Sequence, residues 1–249
     1  MIEQSRNFHF LNQAMQKLCL ILGSEGALGR EVVSKFRSAN WRIARCDIRR
    51  DTTTIDGFIH LSPETSAEEG CSEIIRALSL NTTGSRIDAI INLSGGFVMD
   101  DAKTPELLRN ISSMYKSSVQ SSVIASHLAG LYLTNTGLLV LPGAAAVSGP
   151  TPWALTYGSM KAAVHHMVRS LGSRGSGLPE GSCVLGIAPV MLDTALNRKA
   201  MPHGDFTAWT PCDVLAEQIL RWANGLDAVK SGSIVKVETK NGNTSYIEI

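Results

Sequence analysis

The sequence lacks long apolar runs and an excess of charge of either sign. Its longest apolar runs, residues 18–22 and 137–141, have the length of a strand and are too short to cross a bilayer. Its 23 Lys and Arg nearly balance its 22 Asp and Glu over 249 residues, so the basic surface typical of nucleic-acid binding is missing. We therefore expect neither a membrane span nor a nucleic-acid partner.

Paired cysteines are also lacking, because the five cysteines are scattered and none forms a Cys-x-x-Cys pair. Reduced cysteines in a core are the simplest interpretation. The first 16 residues include Glu3 and have no apolar segment with a small-residue cleavage site, which argues against a secretory signal. We expect a cytoplasmic protein with a flexible N-terminal arm at residues 1–16. No metal site is predicted, since His165 and His166 have no partners at metal-ligand spacing.

Apolar bursts alternate with amphipathic stretches along residues 17–249, which predicts a single α/β domain. The expected fold is a Rossmann-type, doubly wound, mostly parallel sheet with helices on both faces. Asn241-Gly242 lies between two alternating runs, so we expect a hairpin and an antiparallel C-terminal edge strand. Strands are predicted at 18–22, 41–46, 58–61, 87–93, 138–141 and 184–190, and helices at 27–39, 66–80, 104–116, 118–133, 154–171 and 213–224.

A glycine-rich turn follows the first predicted strand and opens directly into a helix. Gly23, Gly26 and Gly29 allow a tight bend and a close approach of backbone N–H groups to a pyrophosphate. The helix N-terminus, at Ala27 and Leu28, adds partial positive charge. Glycines punctuate many strand-helix turns, so the strand before and the helix after are what favour dinucleotide binding.

An acidic residue at the end of the second strand bears on the choice of dinucleotide. Asp47 lies 18 positions beyond Gly29, where a carboxylate can accept hydrogen bonds from the adenosine ribose hydroxyls. A carboxylate repels a 2′-phosphate, so NADH is the expected cofactor. Arg49 and Arg50 could neutralise such a phosphate, which leaves NADPH possible. The alternative is that Asp47 is a turn residue and both arginines are solvated.

Tyr157 and Lys161 are four residues apart and share one face of a predicted helix. The ordinary pKa of tyrosine is about 10, and a neighbouring ammonium favours the phenolate, so we expect Lys161 to lower the pKa of Tyr157. The same spacing is common by chance on surface helices. Its position between the fifth and sixth strands of a nucleotide-binding sheet makes it specific.

Together these motifs resemble the short-chain dehydrogenase/reductase family. The resemblance rests on the glycine loop, residues 94–96 after the fourth strand, the Tyr157/Lys161 pair and residues 189–194. It implies that Tyr157 and Lys161 are catalytic: Tyr157 gives or takes a proton, while Lys161 binds the nicotinamide ribose. By the same resemblance, further cofactor contacts are expected from Ser94, Gly95, Gly96, Pro189, Val190, Leu192 and Thr194.

Two positions depart from the usual pattern of that family. Ala144 stands where most members carry a serine that holds a substrate carbonyl oxygen, and Ser118 stands where an asparagine is usual. Ser148 is nearer to Tyr157, but its spacing does not match the missing serine. An ordinary alcohol dehydrogenase is therefore not the expected function.

A longer set of residues is similar to the dihydropteridine reductases within the family. This set comprises Ala144 and residues 26–29, 126–129, 197–202 and 205–211. It implies reduction of a quinonoid dihydropterin, an activated imine system that needs less electrophilic help than a ketone. The substrate contacts it suggests are Phe97, in place of the usual tryptophan, with Ala144, Asn197 and Met201.

Two alternatives stay open at this point. The same fold could reduce another carbonyl, quinone or pterin, because fold does not fix substrate. A non-catalytic dinucleotide-binding sensor is the other alternative, and the intact Tyr157 and Lys161 argue against it. By the resemblance, helices 118–133 and 154–171 would pair across a two-fold axis in a homodimer.

Overall fold

A computed structural model describes residues 16–51, 57–80 and 86–249. The expected N-terminal arm, residues 1–16, lies outside the described residues except for Gln16. The single-domain division of the chain therefore remains a prediction. Within the described part of the chain, no helix is long and apolar enough to cross a membrane.

One eight-stranded sheet forms the centre of the molecule, in the order β10-β9-β6-β5-β4-β1-β2-β3. All neighbouring pairs are parallel except β9 and β10, which form an antiparallel hairpin at the edge. This confirms the predicted fold class, including the antiparallel edge. The strands are β1 Leu18–Leu22, β2 Arg42–Asp47, β3 Phe58–His60, β4 Ile87–Asn92, β5 Leu133–Pro142, β6 Cys183–Pro189, β9 Ser233–Lys240 and β10 Asn243–Glu248.

Helices cover both faces of the sheet and create two apolar layers. Leu20, Ile90 and Leu139 point to one layer, where they pack with helix residues such as Leu128 and Val164. The alternate strand residues point to the opposite layer, because successive side chains of a strand face opposite ways. The helices are α1 Ala27–Ser38, α2 Ala67–Ala77, α3 Leu107–Met114, α4 Ser121–Tyr132, α5 Leu155–Leu171, α6 Ala195–Ala200 and α7 Cys212–Ala223.

The junction between α3 and α4 differs from the predicted pattern. The sequence predicts two helices, 104–116 and 118–133, whereas Tyr115–Gln120 forms a π-helical turn that joins α3 to α4 without a break. The segment Tyr115–Gln120 contains neither glycine nor proline, so no helix-breaking residue separates the two helices. Strand β5 then begins directly at Leu133, earlier than the predicted start at residue 138.

The carboxyl ends of the central strands all open onto one edge of the sheet. Because β1, β4, β5 and β6 are parallel neighbours, the segments that follow them lie side by side at that edge. A small two-stranded sheet of β7 Leu192–Asp193 and β8 Thr210–Pro211 extends the same region. This edge, where doubly wound sheets bind their ligands, collects the residues predicted to form the site.

Candidate active site

The glycine loop passes very close to the chain that follows β4. Gly23 has a φ of +78°, and a Cβ at this position would lie 2.7 Å from the backbone nitrogen of Ser94. At Gly29, a Cβ would lie 2.2 Å from the carbonyl oxygen of Gly23. Only glycine fits at either position, so the loop is folded as tightly as a pyrophosphate-binding turn requires.

The N-terminus of α1 lies at the open edge of the sheet, directly after the turn that follows β1. Gly26 is the N-cap, no side chain of the described residues caps it, and the first turn contains no acidic residue. Such an end carries partial positive charge and unpaired N–H donors, which together suit an anion. The cradle formed by Gly23, Gly26 and Gly29 therefore fits the pyrophosphate of a dinucleotide.

Asp47 ends β2 beside this loop, and its carboxylate is buried. One oxygen accepts a hydrogen bond from the Glu25 N–H at 2.8 Å, and the other accepts one from the Arg49 N–H at 2.8 Å. The Arg49 guanidinium also pairs with both oxygens at 3.2 Å. The guanidinium lies 3.4 Å from where a Cβ of Gly26 would be, so a cation lies directly beside the glycine loop.

A buried ionic cluster supports the loop from behind, and the sequence patterns did not reveal it. Arg45 is 1% exposed and pairs with Asp51 at 2.8 Å and with Glu25 at 3.4 Å. Glu25 also pairs with Arg30 of α1 at 3.2 Å. The cluster joins the middle of β2 to the loop and to the first helix, which fixes their relative positions.

Tyr157 and Lys161 lie on the first turns of α5, close to the ends of β4 and β5. The ammonium nitrogen of Lys161 is buried, donates a hydrogen bond to the Pro142 carbonyl at 2.9 Å, and lies 5.9 Å from the centre of the Tyr157 ring. A Cβ at Gly95 would lie 3.3 Å from the same nitrogen. The structure thus brings the predicted pair together with the segment that follows β4.

The pKa values of this pair are set by burial. Burial raises the pKa of Tyr157 to about 12 and lowers the pKa of Lys161 to about 8. The expected lowering of the Tyr157 pKa by Lys161 is therefore wrong, because removing the phenol from water outweighs a cation that lies 5.9 Å from the ring. The phenol keeps its proton at neutral pH, which is the state that a proton donor needs.

One aromatic ring packs against Tyr157, and a second ring lies beside the first. Phe97 packs edge-on against Tyr157, with ring centres 5.0 Å apart and an interplanar angle of 76°. Trp153, which did not figure among the predicted site residues, lies 6.1 Å from Phe97. Phe97 and Trp153 are both about half exposed, so the group offers ring surface to a ligand.

Asp100 joins the segments that carry these aromatic residues, and no sequence motif marks it. Its backbone pairs with Trp153 and Leu155, and its buried carboxylate accepts hydrogen bonds from the Thr156 N–H at 3.0 Å and the Asn110 side chain at 3.1 Å. Burial acts to raise the pKa of Asp100, but these hydrogen bonds outweigh it and hold the pKa below its usual value. Asp100 therefore caps the N-terminus of α5 from a distant loop.

The sequence profile described as "short chain dehydrogenase" matches residues 17–204. The chain belongs to the short-chain dehydrogenase family. It is also 35% identical to a protein named dihydropteridine reductase from Dictyostelium discoideum, over 94% of this chain and all of that protein.

Solved structures of the short-chain dehydrogenase family share the fold at low sequence identity. A short-chain dehydrogenase/reductase from Serratia marcescens is 18% identical with a TM-score of 0.73, covering 92% of this chain and 99% of its own. A structure described as "BdcA in complex with NADPH" is 17% identical with a TM-score of 0.70, covering 91% and 93%. Family membership makes this chain an oxidoreductase that uses a nicotinamide cofactor.

Where most short-chain dehydrogenases have a serine, this chain has the buried Ala144, and a histidine supports it. The Ala144 N–H donates a hydrogen bond to Nε2 of His165 at 3.1 Å. Burial, with the nearby cations of Arg169 and Lys161, lowers the pKa of His165 to about 4, so the imidazole is neutral and accepts through Nε2. No sequence motif assigns a role to His165; the structure shows that it holds the end of β5.

The segment after β6 lies at the same carboxyl edge of the sheet as Tyr157 and Lys161. Val190 directly follows Pro189, and its N–H donates a hydrogen bond to the Val237 carbonyl at 2.9 Å. This bond fixes the start of the segment. Thr194 caps α6 by accepting from the Asn197 N–H at 3.1 Å, and the Asn197 amide donates to the Leu192 carbonyl at 2.8 Å. The Asn197 side chain therefore braces the loop, while Met201 at the end of α6 is exposed.

Two aromatic residues anchor the loop over this side of the site. Trp209 is buried and packs edge-on against Phe206, with ring centres 4.7 Å apart. Arg198 stacks on Phe206 at 4.4 Å and forms a bidentate pair with Asp193 at 2.6 and 2.7 Å. Trp209 thus pins the loop, and the segment after β6 is held by its own contacts as well as by β9.

Proposed function

We propose that the protein reduces a quinonoid dihydropteridine, such as dihydrobiopterin, to the tetrahydropteridine, using NADH. The observation that carries this proposal is the 35% identity to a dihydropteridine reductase, which extends over all of that protein's length. The aromatic setting of Tyr157 and the alanine at position 144 support it, because both suit a flat, already activated substrate. In this role the enzyme recycles tetrahydrobiopterin.

In this proposal each catalytic residue has a distinct task. The dinucleotide supplies the hydride. Tyr157 donates the proton, either directly or through water. Its pKa of about 12 keeps it protonated until the substrate accepts the hydride. Lys161 binds the nicotinamide ribose, and its hydrogen bond to the Pro142 carbonyl holds it in reach of that position.

The absence of a serine at position 144 agrees with the chemistry of the substrate. A hydrogen-bond donor on the oxygen of a ketone makes its carbonyl carbon more electrophilic, whereas a quinonoid dihydropterin is more electron-poor from the start and depends less on such a donor. Ala144 is buried and offers no such donor, since its own N–H is engaged by His165. The site therefore supplies the proton and the orientation, while the substrate supplies its own activation.

NADH is proposed as the preferred cofactor, with NADPH as a second substrate. The proposal gives Asp47 the contact with the adenosine ribose, and a carboxylate there disfavours a 2′-phosphate. Its pairing with Arg49 reduces that repulsion and places a guanidinium beside the same position. We expect NADPH to bind with the Arg49 guanidinium turned towards its 2′-phosphate.

We also propose a homodimer and a cytoplasmic location. Val123, His127 and Leu131 are exposed along one face of α4, at the spacing of successive helical turns. This exposed face of α4 carries two large apolar residues, Val123 and Leu131, and is therefore suited to pairing with a second copy of the chain.

The proposed function is tested by following NADH oxidation with quinonoid dihydrobiopterin generated in the assay, and by identifying the product chromatographically. We expect tetrahydrobiopterin in one-to-one proportion to the NADH consumed. Tyr157→Phe is expected to lower kcat by at least about 100-fold, the usual contribution of general acid catalysis, without changing the KM for NADH. Rapid turnover of a ketone or quinone with none of the pterin would support the alternative reductase, and NADH binding without any turnover would support the sensor.

A further inference from the structure

Trp153 differs from every other tryptophan of the chain in being open to solvent. Of the four tryptophans, Trp41, Trp209 and Trp222 are 7–8% exposed, whereas Trp153 is 48% exposed. Leaving an indole ring in water forfeits the free energy that its burial would provide, because it is among the largest apolar surfaces available to a protein. An exposed indole beside the candidate active site is therefore suited to contact with a bound ligand.

The position of Trp153 places that partner in the site. Its ring centre is 6.1 Å from that of Phe97, at an interplanar angle of 50°, and Phe97 in turn contacts the Tyr157 ring at 5.0 Å. Phe97 is itself 56% exposed. The two exposed rings thus lie side by side, inclined to each other, and form an aromatic surface next to the Tyr157 phenol, which we call the ring wall.

The backbone beneath the ring wall is fixed before any ligand arrives. The Asp100 N–H donates to the Trp153 carbonyl at 3.1 Å, and the Leu155 N–H donates to the Asp100 carbonyl at 3.1 Å. These two bonds lock the segment that carries Trp153 to the loop that carries Phe97. A preorganised surface loses little conformational entropy on binding, so it contributes more to affinity than a mobile one.

We propose that Trp153 is a specificity-determining residue which, together with Phe97, selects a flat, fused-ring substrate by stacking. Ala144 offers no hydroxyl to hold a substrate oxygen, so orientation of the substrate has to come from another contact. A rigid aromatic surface provides it for a planar heterocycle and not for a small aliphatic ketone. That the heterocycle is a pterin rests on the proposed function; the stacking itself does not.

The kinetic test compares Trp153→Leu with Trp153→Phe under the pterin assay. We expect Trp153→Leu to raise the KM for quinonoid dihydrobiopterin roughly 3- to 12-fold, the range that aromatic pairing energies give, with the KM for NADH unchanged. Trp153→Phe keeps a ring and should stay within about twofold of the wild type. Leu226→Ala is the control, since Leu226 is 64% exposed and follows α7 at the opposite edge of the sheet.

A binding test uses the exposure of Trp153 itself as the signal. Acrylamide should quench one accessible component of the tryptophan emission in the wild type and none in Trp153→Phe. Biopterin, a flat pterin that is already oxidised, is added with NAD⁺ and should protect that component from the quencher.

The outcomes separate this proposal from the proposed function. Pterin turnover that is equal in the wild type and Trp153→Leu, with no protection by biopterin, would overturn the role of Trp153 and leave the function standing. Protection by biopterin without pterin turnover would support the ring wall and overturn the reductase function. If the NADH KM rises as much as the pterin KM in Trp153→Leu, the residue is structural and the proposal fails.

Discussion

The burial of Lys161 makes its charge less stable but also removes the water that would screen that charge. Its ammonium is buried between α5 and the end of β5, where it donates a hydrogen bond to the Pro142 carbonyl. Burial lowers its pKa from 10.5 to about 8, so the folded protein holds this charge less readily than the unfolded chain does. The same desolvation makes its positive charge effective, because water does not screen it.

The burial of Lys161 leads to a prediction about stability and pH. Between pH 8 and 10.5 the unfolded chain binds more protons at this residue than the folded protein, so the free energy of unfolding rises with pH across that window. Relative to Lys161→Met, the wild type should gain about 2 kcal/mol between pH 7 and pH 9.5. Urea unfolding of both proteins at several pH values measures this difference, and two parallel curves would contradict it.

Arg49 allows a prediction about the cofactor. Its side chain is 58% exposed and pairs with the buried Asp47, so it is free at its outer side to meet a 2′-phosphate. We expect Arg49→Ala to lower kcat/KM for NADPH about 10-fold, the effect of losing one charge-assisted hydrogen bond, and to change the value for NADH less than twofold. Arg37→Ala, at an exposed arginine in the last turn of α1, is the control, and an equal loss with both cofactors would show that Arg49 only supports Asp47.

Among the secondary-structure elements, the N-terminus of α5 depends on a residue from another part of the chain. The N-cap of α5 is Ala154, whose side chain has no hydrogen-bonding group, so the Thr156 N–H is capped by the Asp100 carboxylate instead. The same residue joins the loop that carries Phe97 to Trp153. One carboxylate therefore sets both the start of the catalytic helix and the position of its aromatic neighbours.

Removing this carboxylate should affect folding and function together. Asp100→Ala leaves a buried amide and a buried hydroxyl of Thr156 unpaired, so we expect a loss of about 2–3 kcal/mol in the free energy of unfolding. Lys103→Ala, at an exposed position of the same loop, should change it by less than about 0.5 kcal/mol. Thermal unfolding followed by circular dichroism measures both, and equal effects of the two substitutions would show that Asp100 does not cap α5.

The elements themselves were largely predictable, and the reason is their patterning. Buried strands such as β1 and β4 are short apolar runs, and α1 places its apolar residues at helical spacing, so local sequence identifies them. The site was predictable only where a motif marks it, as at the glycine loop and at Tyr157 and Lys161. Asp100, Trp153 and the acceptor role of His165 act through contacts far apart in sequence, which no local pattern records.

For the whole molecule, the near balance of charge means that no overall field attracts an anionic dinucleotide. The chain has a net charge of +1, so affinity must come from local groups. The structure provides the N-terminus of α1, the Arg49 guanidinium and the buried Lys161 along the carboxyl edge of the sheet. Cofactor binding is therefore expected to depend only weakly on ionic strength.

The proposed homodimer gives a prediction for the whole assembly. Leu131 is 45% exposed on the face of α4 that also carries Val123 and His127. Leu131→Arg should convert a particle of twice the chain mass of 26.7 kDa into one of the chain mass, as measured by size-exclusion chromatography with light scattering. Leu226→Arg, at a remote exposed leucine, should leave the mass unchanged. A wild type that elutes as a monomer would contradict the dimer.

The most direct test of the central claim is a ratio measured on one sample of the enzyme. The kcat/KM for quinonoid dihydrobiopterin is divided by the highest kcat/KM found in a panel of ketones and quinones, all with saturating NADH. A dihydropteridine reductase with alanine at position 144 and aromatic rings beside Tyr157 should give a ratio above about 100, equivalent to roughly 3 kcal/mol of transition-state discrimination. A ratio below one would contradict the account.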